Sequence, residues 1–213
     1  MLPLLFVQVW ASVALVATIV GILVGGFRLP ARRGEVTVVA RRTPATGTQT
    51  IWILGVFVAT FWPIGILLAP MYAYHWPMTN DFLGSWSVQI FGGVLGTLGG
   101  LLFARSARAM GRQMTPAIQV QQGHQLLQAG PYRYIRHPVY TAIMASAVGQ
   151  TLLYLSPVLG VLTAVLVGLA IYRAGLEEAL LSSPEAFGGE YQAYMARTGR
   201  FLPRLREIPP TAR

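Results

Sequence analysis

Residues 139–172 read VYTAIMASAVGQTLLYLSPVLGVLTAVLVGLAIY. Two apolar runs, 139–155 and 158–172, are separated only by Ser156 and Pro157. A break that short between two helical runs predicts an antiparallel helical hairpin. Outward from it, three more apolar runs lie upstream, at 4–27, 51–72 and 86–104. A helix needs about 20 apolar residues to cross a hydrocarbon core, and these runs are of that order. The sequence therefore predicts an all-α integral-membrane bundle of five transmembrane helices ending in a C-terminal hairpin.

Composition agrees. Of 213 residues, 54% are hydrophobic and 11% charged, far below the roughly one-quarter charged average of soluble domains. With so little sequence outside the runs, a single membrane domain over 1–213 is expected, with three helices and their loops in 1–110. Residues 111–213 then hold the last two helices and a tail. No basic region precedes the first run, which reads as a retained helix rather than a cleaved signal. Pro63 should kink the second by removing a backbone donor. Gly92, Gly96 and Gly100 place a glycine stripe on the third, where a neighbouring backbone can approach closely. Packing within the bundle is the plainer use of that stripe, and a homodimer is the alternative.

The chain has neither cysteine nor lysine. Disulfides, thiolate chemistry, a lysine Schiff base and a Walker-type phosphate loop are thereby excluded. Three histidines, His75, His124 and His137, are too scattered for a metal site. All sixteen basic residues are arginine, and they fall only in the segments after the first and third runs and in the tail. The net charge of +9 is thus topological and does not point to nucleic acid. Since basic loops stay inside, the N-terminus is expected outside and the C-terminus in the cytoplasm.

The polar groups are concentrated in HQLLQAGPYRYIRHPVY, residues 124–140, and at Glu177 and Glu178. From the hairpin tip His137 lies about 20 residues back and Glu177 about 20 forward. At about 1.5 Å per residue both lie about 30 Å away, level at the cytoplasmic face. Arg173 and Glu177, four apart, share a helix face and can pair. Glu178 is turned by about 100° from Glu177, so one carboxylate can face a ligand while the other meets an arginine or backbone. Taken singly, Arg133, Arg136 and the tyrosines 132, 134 and 140 could be interfacial anchors. Ser183, Pro184 and Glu185 read as a helix start. Phe187, Tyr191 and Tyr194 then form an aromatic stripe that lies on the membrane or lids a pocket. Gly199 should end that helix, letting Phe201, Leu202 and Pro203 tuck under the bundle.

GPYRYIRHPVY, followed by Arg173, Glu177, Glu178, FGGEYQAY and RFLP, resembles the isoprenylcysteine carboxyl methyltransferase superfamily, which also takes in phospholipid methyltransferases. The likeness covers residues 124–205. It implies a cytoplasmic S-adenosylmethionine pocket lined by His124, Gln125, Leu126, Leu127, Tyr132, Arg136, His137, Pro138, Val139 and Tyr140. It further implies that Glu177 and Glu178 contact the cofactor and that Arg173 faces the substrate. An upstream glutamine is usual in the family, and both Gln119 and Gln121 qualify; the usual glycine after the last tyrosine is Ala142 here. The implied activity is methyl transfer to a lipophilic substrate, either a prenylcysteine-like carboxylate held by Arg173 or a phospholipid amine deprotonated by a glutamate. The alternatives are an NADPH-dependent membrane sterol or steroid reductase, similar in this region, and a non-catalytic scaffold or transporter.

Overall fold

The computed structural model describes residues 1–24, 38–70, 74–75, 78–115 and 117–204. Six α-helices are described: α1 (Leu4–Val24), α2 (Thr48–Leu68), α3 (Ser85–Met110), α4 (Pro138–Tyr154), α5 (Pro157–Leu181) and α6 (Gly189–Arg197). Each predicted apolar run lies in one of the first five. The last residues of the first two runs, 25–27 and 71–72, lie outside the described residues, as do most of the first basic segment and residues 205–213.

The hairpin forms for local reasons. Leu155 takes a left-handed conformation, φ 50° and ψ 36°, which stops α4. Ser156 then caps α5, its hydroxyl accepting from the Leu159 amide at 3.4 Å, and Pro157 occupies the first helical position, where a missing N–H costs nothing. The two helices are further tied by the Thr151 and Thr163 hydroxyls, 2.9 Å apart.

Around the hairpin, α3 packs along α4, α2 packs on α5, and α1 lies against both α2 and α3. The α3–α4 contact explains the glycines. A Cβ at Gly92 would strike the Leu153 and Gly149 backbone, one at Gly149 would strike Gly96, and one at Gly99 would strike Ser146 and Ala142. The stripe therefore serves packing inside the bundle, where backbone approach supplies the van der Waals contact that a membrane interior cannot supply hydrophobically. Its third member lies elsewhere: a Cβ at Gly100 would meet nothing, and Gly99 takes its place in the contact. Ala142 is fully buried at the spot where Gly99 leaves room for it.

At the end of the bundle near Met1, buried Gln89 receives the Leu2 amide at 2.6 Å and donates to Tyr74 Oη at 2.6 Å and to the Leu153 carbonyl at 2.8 Å. The Met1 amine pairs with Asp81 at 3.1 Å, and the Asn80 amide reaches the Leu155 carbonyl. The hairpin tip thus lies at that end, and Arg136, Arg173 and Glu178 at the other. Between them large apolar side chains face outward, among them Leu54, Phe57, Phe91, Leu98, Leu101, Val161 and Val165. Among the described residues three helices, α2, α3 and α5, are long and apolar enough to cross a membrane.

Two expectations need correction. The chain is not wholly helical: β1 (Val38–Arg41) pairs antiparallel with β2 (Gln119–Gln121), with an irregularity between Val38 and Ala40. Part of the segment read as basic loop is therefore a strand. Strands this short show no alternation to read, and their pairing joins residues about 80 positions apart. Val120 and Ile118 bury this ladder against Leu180 of α5. The last helix also starts later than Ser183. The Ser183 carbonyl accepts from the Ala186 and Gly188 amides, making turns of 184–188, and Gly188 at φ 51° and ψ −122° delays α6 to Gly189.

Candidate active site

The motif begins as a 3₁₀ turn, Gly130–Arg133, that carries buried Tyr132. Its polypeptide then runs beside the tail. The amides of Arg136 and His137 donate to the carbonyls of Gly199 and Arg200 at 2.9 and 3.1 Å, and the Gly199 amide returns to Tyr134 at 3.2 Å. Helix α6 is thereby laid over the motif, with Tyr194 Oη donating to the Tyr132 carbonyl at 2.6 Å. Tyr191 and Tyr194 are both 2% exposed, so the aromatic stripe faces inward as a lid. Phe201 tucks against the His137 ring at 6.0 Å, whereas Leu202 stays exposed.

His137 precedes α4 and sits between the two carboxylates. Its Nδ1 lies 3.4 Å from Glu177 Oε2 and its Nε2 3.2 Å from Glu178 Oε1. The 100° offset along α5 thus lets successive glutamates flank one imidazole. Burial works to lower the His137 pKa, but its hydrogen bonds to Glu177 and Glu178, with their charges, outweigh it and raise the value above 6.5. Glu178 also holds Arg136 Nε at 2.9 Å and Arg200 Nε at 3.2 Å. Arg136 in turn donates to the Met195 and Thr198 carbonyls.

Glu177 looks the other way. It accepts from Tyr140 Oη, and that same oxygen accepts from Arg173 Nε at 3.3 Å. Arg173 and Glu177 are therefore linked through a tyrosine from the neighbouring helix. Arg173 is 3% exposed; its Nη1 donates to Gln49 Oε1, and its guanidinium lies 5.4 Å from the Trp52 ring centre. Trp52 meets Tyr140 edge-on, with ring centres 5.4 Å apart.

These groups border a cavity of about 600 Å³. Of the expected residues, His124, Gln125, Leu126, Leu127, Tyr132, Arg136, His137, Val139, Tyr140, Arg173 and Glu177 line it. Pro138 and Glu178 do not: the first is buried at the start of α4 and the second is turned toward Arg136 and Arg200. The lid side adds Phe187, Tyr191 and Tyr194, and the opposite side is apolar, with Ile53, Val56, Phe57 and Phe61 of α2 and Phe103 of α3. The α2 wall was not foreseen, since a tryptophan near the start of an apolar run looks the same as an interfacial anchor.

Burial, then the charges of Glu177 and Tyr194, push the Tyr132 phenol well above its ordinary value. Its hydroxyl is buried and has no hydrogen-bond partner among the described residues. Burial likewise lifts Tyr194 to about 12 and lowers His124 below 6.5. Among the described residues no cluster of three His, Cys, Asp or Glu side chains could hold a metal ion.

Among the described residues, an apolar-surfaced helical bundle bordering a large polar-ended cavity defines a membrane protein with an internal cavity. Residues 97–183 match the model of the isoprenylcysteine carboxyl methyltransferase (ICMT) family. Two relatives from rice, Oryza sativa subspecies indica and japonica, are named as probable protein-S-isoprenylcysteine O-methyltransferases. Each is 31% identical over 121 residues, covering 55% of this chain and 62% of the relative's length.

Proposed function

We propose that the chain is a five-span membrane methyltransferase, acting as one unit, that uses S-adenosylmethionine from the cytoplasm and accepts a lipophilic substrate from the bilayer. The observation that carries this reading is the cavity in which the motif, Glu177 and Arg173 meet an apolar wall from α2. Topology rests on charge. Arg41 and Arg42 before α2, Arg105 and Arg108 near the end of α3, and Arg133 and Arg136 before α4 belong to the end of the bundle that holds Glu177, and arginine-rich ends stay inside.

The polar end suits the cofactor. Glu177 offers a carboxylate for a cationic or amino group, and the unpartnered Tyr132 hydroxyl is a buried donor that a ligand oxygen would satisfy. When bound, S-adenosylmethionine supplies a methyl group on a sulfonium that departs as a neutral thioether. The chain supplies position and dryness. His137 and Tyr140 hold Glu177 from two sides, so the carboxylate is fixed before a ligand arrives. Phe187, Tyr191 and Tyr194 cover the polar end and exclude water. Arg173 lines the cavity beside Glu177 and is suited to an acceptor carboxylate, which needs no base. The α2 and α3 side chains receive the acceptor's apolar part.

Calorimetric titration of detergent-purified protein with S-adenosylhomocysteine, and separately with NADPH, tests the reading. Binding of the former and not the latter is expected. Binding of NADPH alone would overturn it in favour of a reductase, and binding of neither would favour a scaffold.

A further inference from the structure

Arg173 of α5 lines the cavity and contacts the start of α2, which lies outside the segment that matches the family model. Gln49 accepts one N–H of its guanidinium, and the Trp52 ring lies 5.4 Å from its central carbon. Trp52 itself is 6% exposed and is wedged between Arg173 and Tyr140. The approach to α2 is tied to α5 independently: the Ala45 amide donates to Tyr172 Oη at 3.1 Å, one residue from Arg173. Leu166 of α5 packs where Gly55 leaves no side chain. Beyond Trp52, the same face of α2 continues as Val56 and Thr60 along the apolar half of the cavity.

We infer that Gln49 and Trp52 are positioning residues for the acceptor: they hold the Arg173 guanidinium at the junction of the polar and apolar halves of the cavity. The inference rests on the methyltransferase reading above and extends it to α2. A guanidinium on a long side chain loses orientation when its supports are removed, and an aromatic face beneath it and an amide oxygen at one N–H restrain where it points. Arg173 selects the acceptor's anionic group, and α2 decides where that group can sit. Glu177 takes its geometry from His137 and Tyr140, and Gln49 bonds a different guanidinium nitrogen of Arg173 from the one that reaches Tyr140, so cofactor binding does not depend on Gln49.

The test uses the full chain in detergent, with S-adenosylmethionine as donor and N-acetyl-S-farnesyl-L-cysteine as the probe acid. Gln49→Leu, Trp52→Leu and Trp52→Phe are compared with wild type. Both leucine variants should raise the acceptor KM by about tenfold, and in Gln49→Leu, which leaves the Trp52–Tyr140 contact in place, S-adenosylhomocysteine affinity should stay within about twofold. Trp52→Phe, which restores an aromatic face, should recover most of the loss. An unchanged acceptor KM in both leucine variants would overturn the inference, as would a parallel loss of S-adenosylhomocysteine affinity in Gln49→Leu or a phenylalanine variant no better than leucine. Gln49→Leu changes only a half-buried side chain and keeps the test open if Trp52→Leu does not fold. A wild type that binds S-adenosylhomocysteine but does not take the acid would remove this assignment and leave the cofactor site standing. A wild type that does not bind S-adenosylhomocysteine would defeat the methyltransferase reading itself.

Discussion

Glu178 and Glu177 are neighbours on one helix, yet the structure assigns them different work, and Glu178→Ala separates the two. The Glu178 carboxylate is 17% exposed and is shared by Arg136 Nε at 2.9 Å, His137 Nε2 at 3.2 Å and Arg200 Nε at 3.2 Å. A hydrogen bond to a charged group contributes about 1.5–3 kcal/mol, and stripping one partner from a buried ion pair costs about 3–5 kcal/mol because the other charge is left behind. Arg200 is 34% exposed and regains water, so its share is discounted. Arg136 and His137 are enclosed and do not regain it. The expected loss is about 3 kcal/mol, or a fall in melting temperature of about 6–12 °C for a chain of this size. Thermal unfolding of the detergent-purified variant, followed by circular dichroism, reads it. Glu178→Gln keeps an acceptor for Arg136 and should fall between the variant and wild type. A melting temperature for Glu178→Ala within about 2 °C of wild type would refute the reasoning, and so would an equal fall for Glu177→Ala.

Glu177→Ala should leave the bundle folded and weaken S-adenosylhomocysteine binding by about tenfold or more in calorimetry; unchanged affinity would take the carboxylate out of the cofactor site. Gly149→Ala places a Cβ on the Gly96 backbone, where overpacking costs about 1–3 kcal/mol, and a melting temperature equal to wild type would show that α3 and α4 are not in contact there. Stability should also respond to pH through His137. Its folded-state pKa is raised above 6.5 by Glu177 and Glu178, so the stabilisation is fully present below about 6.5 and is lost as pH climbs through the raised value. Melting temperatures that rise across that window, or a wild-type slope unchanged in His137→Gln, would contradict this.

The sequence by itself determined what depends on near neighbours. The apolar runs, the stop at Leu155, the Ser156 cap and Pro157 are local, and they were enough to set the hairpin and to bring His137 level with Glu177 about 20 residues on either side of its tip. The motif residues and Glu177 that line the cavity were legible for the same reason, since GPYRYIRHPVY is contiguous and Glu177 follows at a fixed number of helical turns. Only the tertiary structure decided which glutamate faces the cavity, because a helix pattern gives the 100° between Glu177 and Glu178 but not the direction of either. It also decided the β1–β2 pairing and the clamp of Gln49 and Trp52 on Arg173, a contact across 124 positions of chain. Contacts at that separation leave no periodicity behind, because each partner's local pattern is satisfied equally well without the other; they come into being when the helices pack.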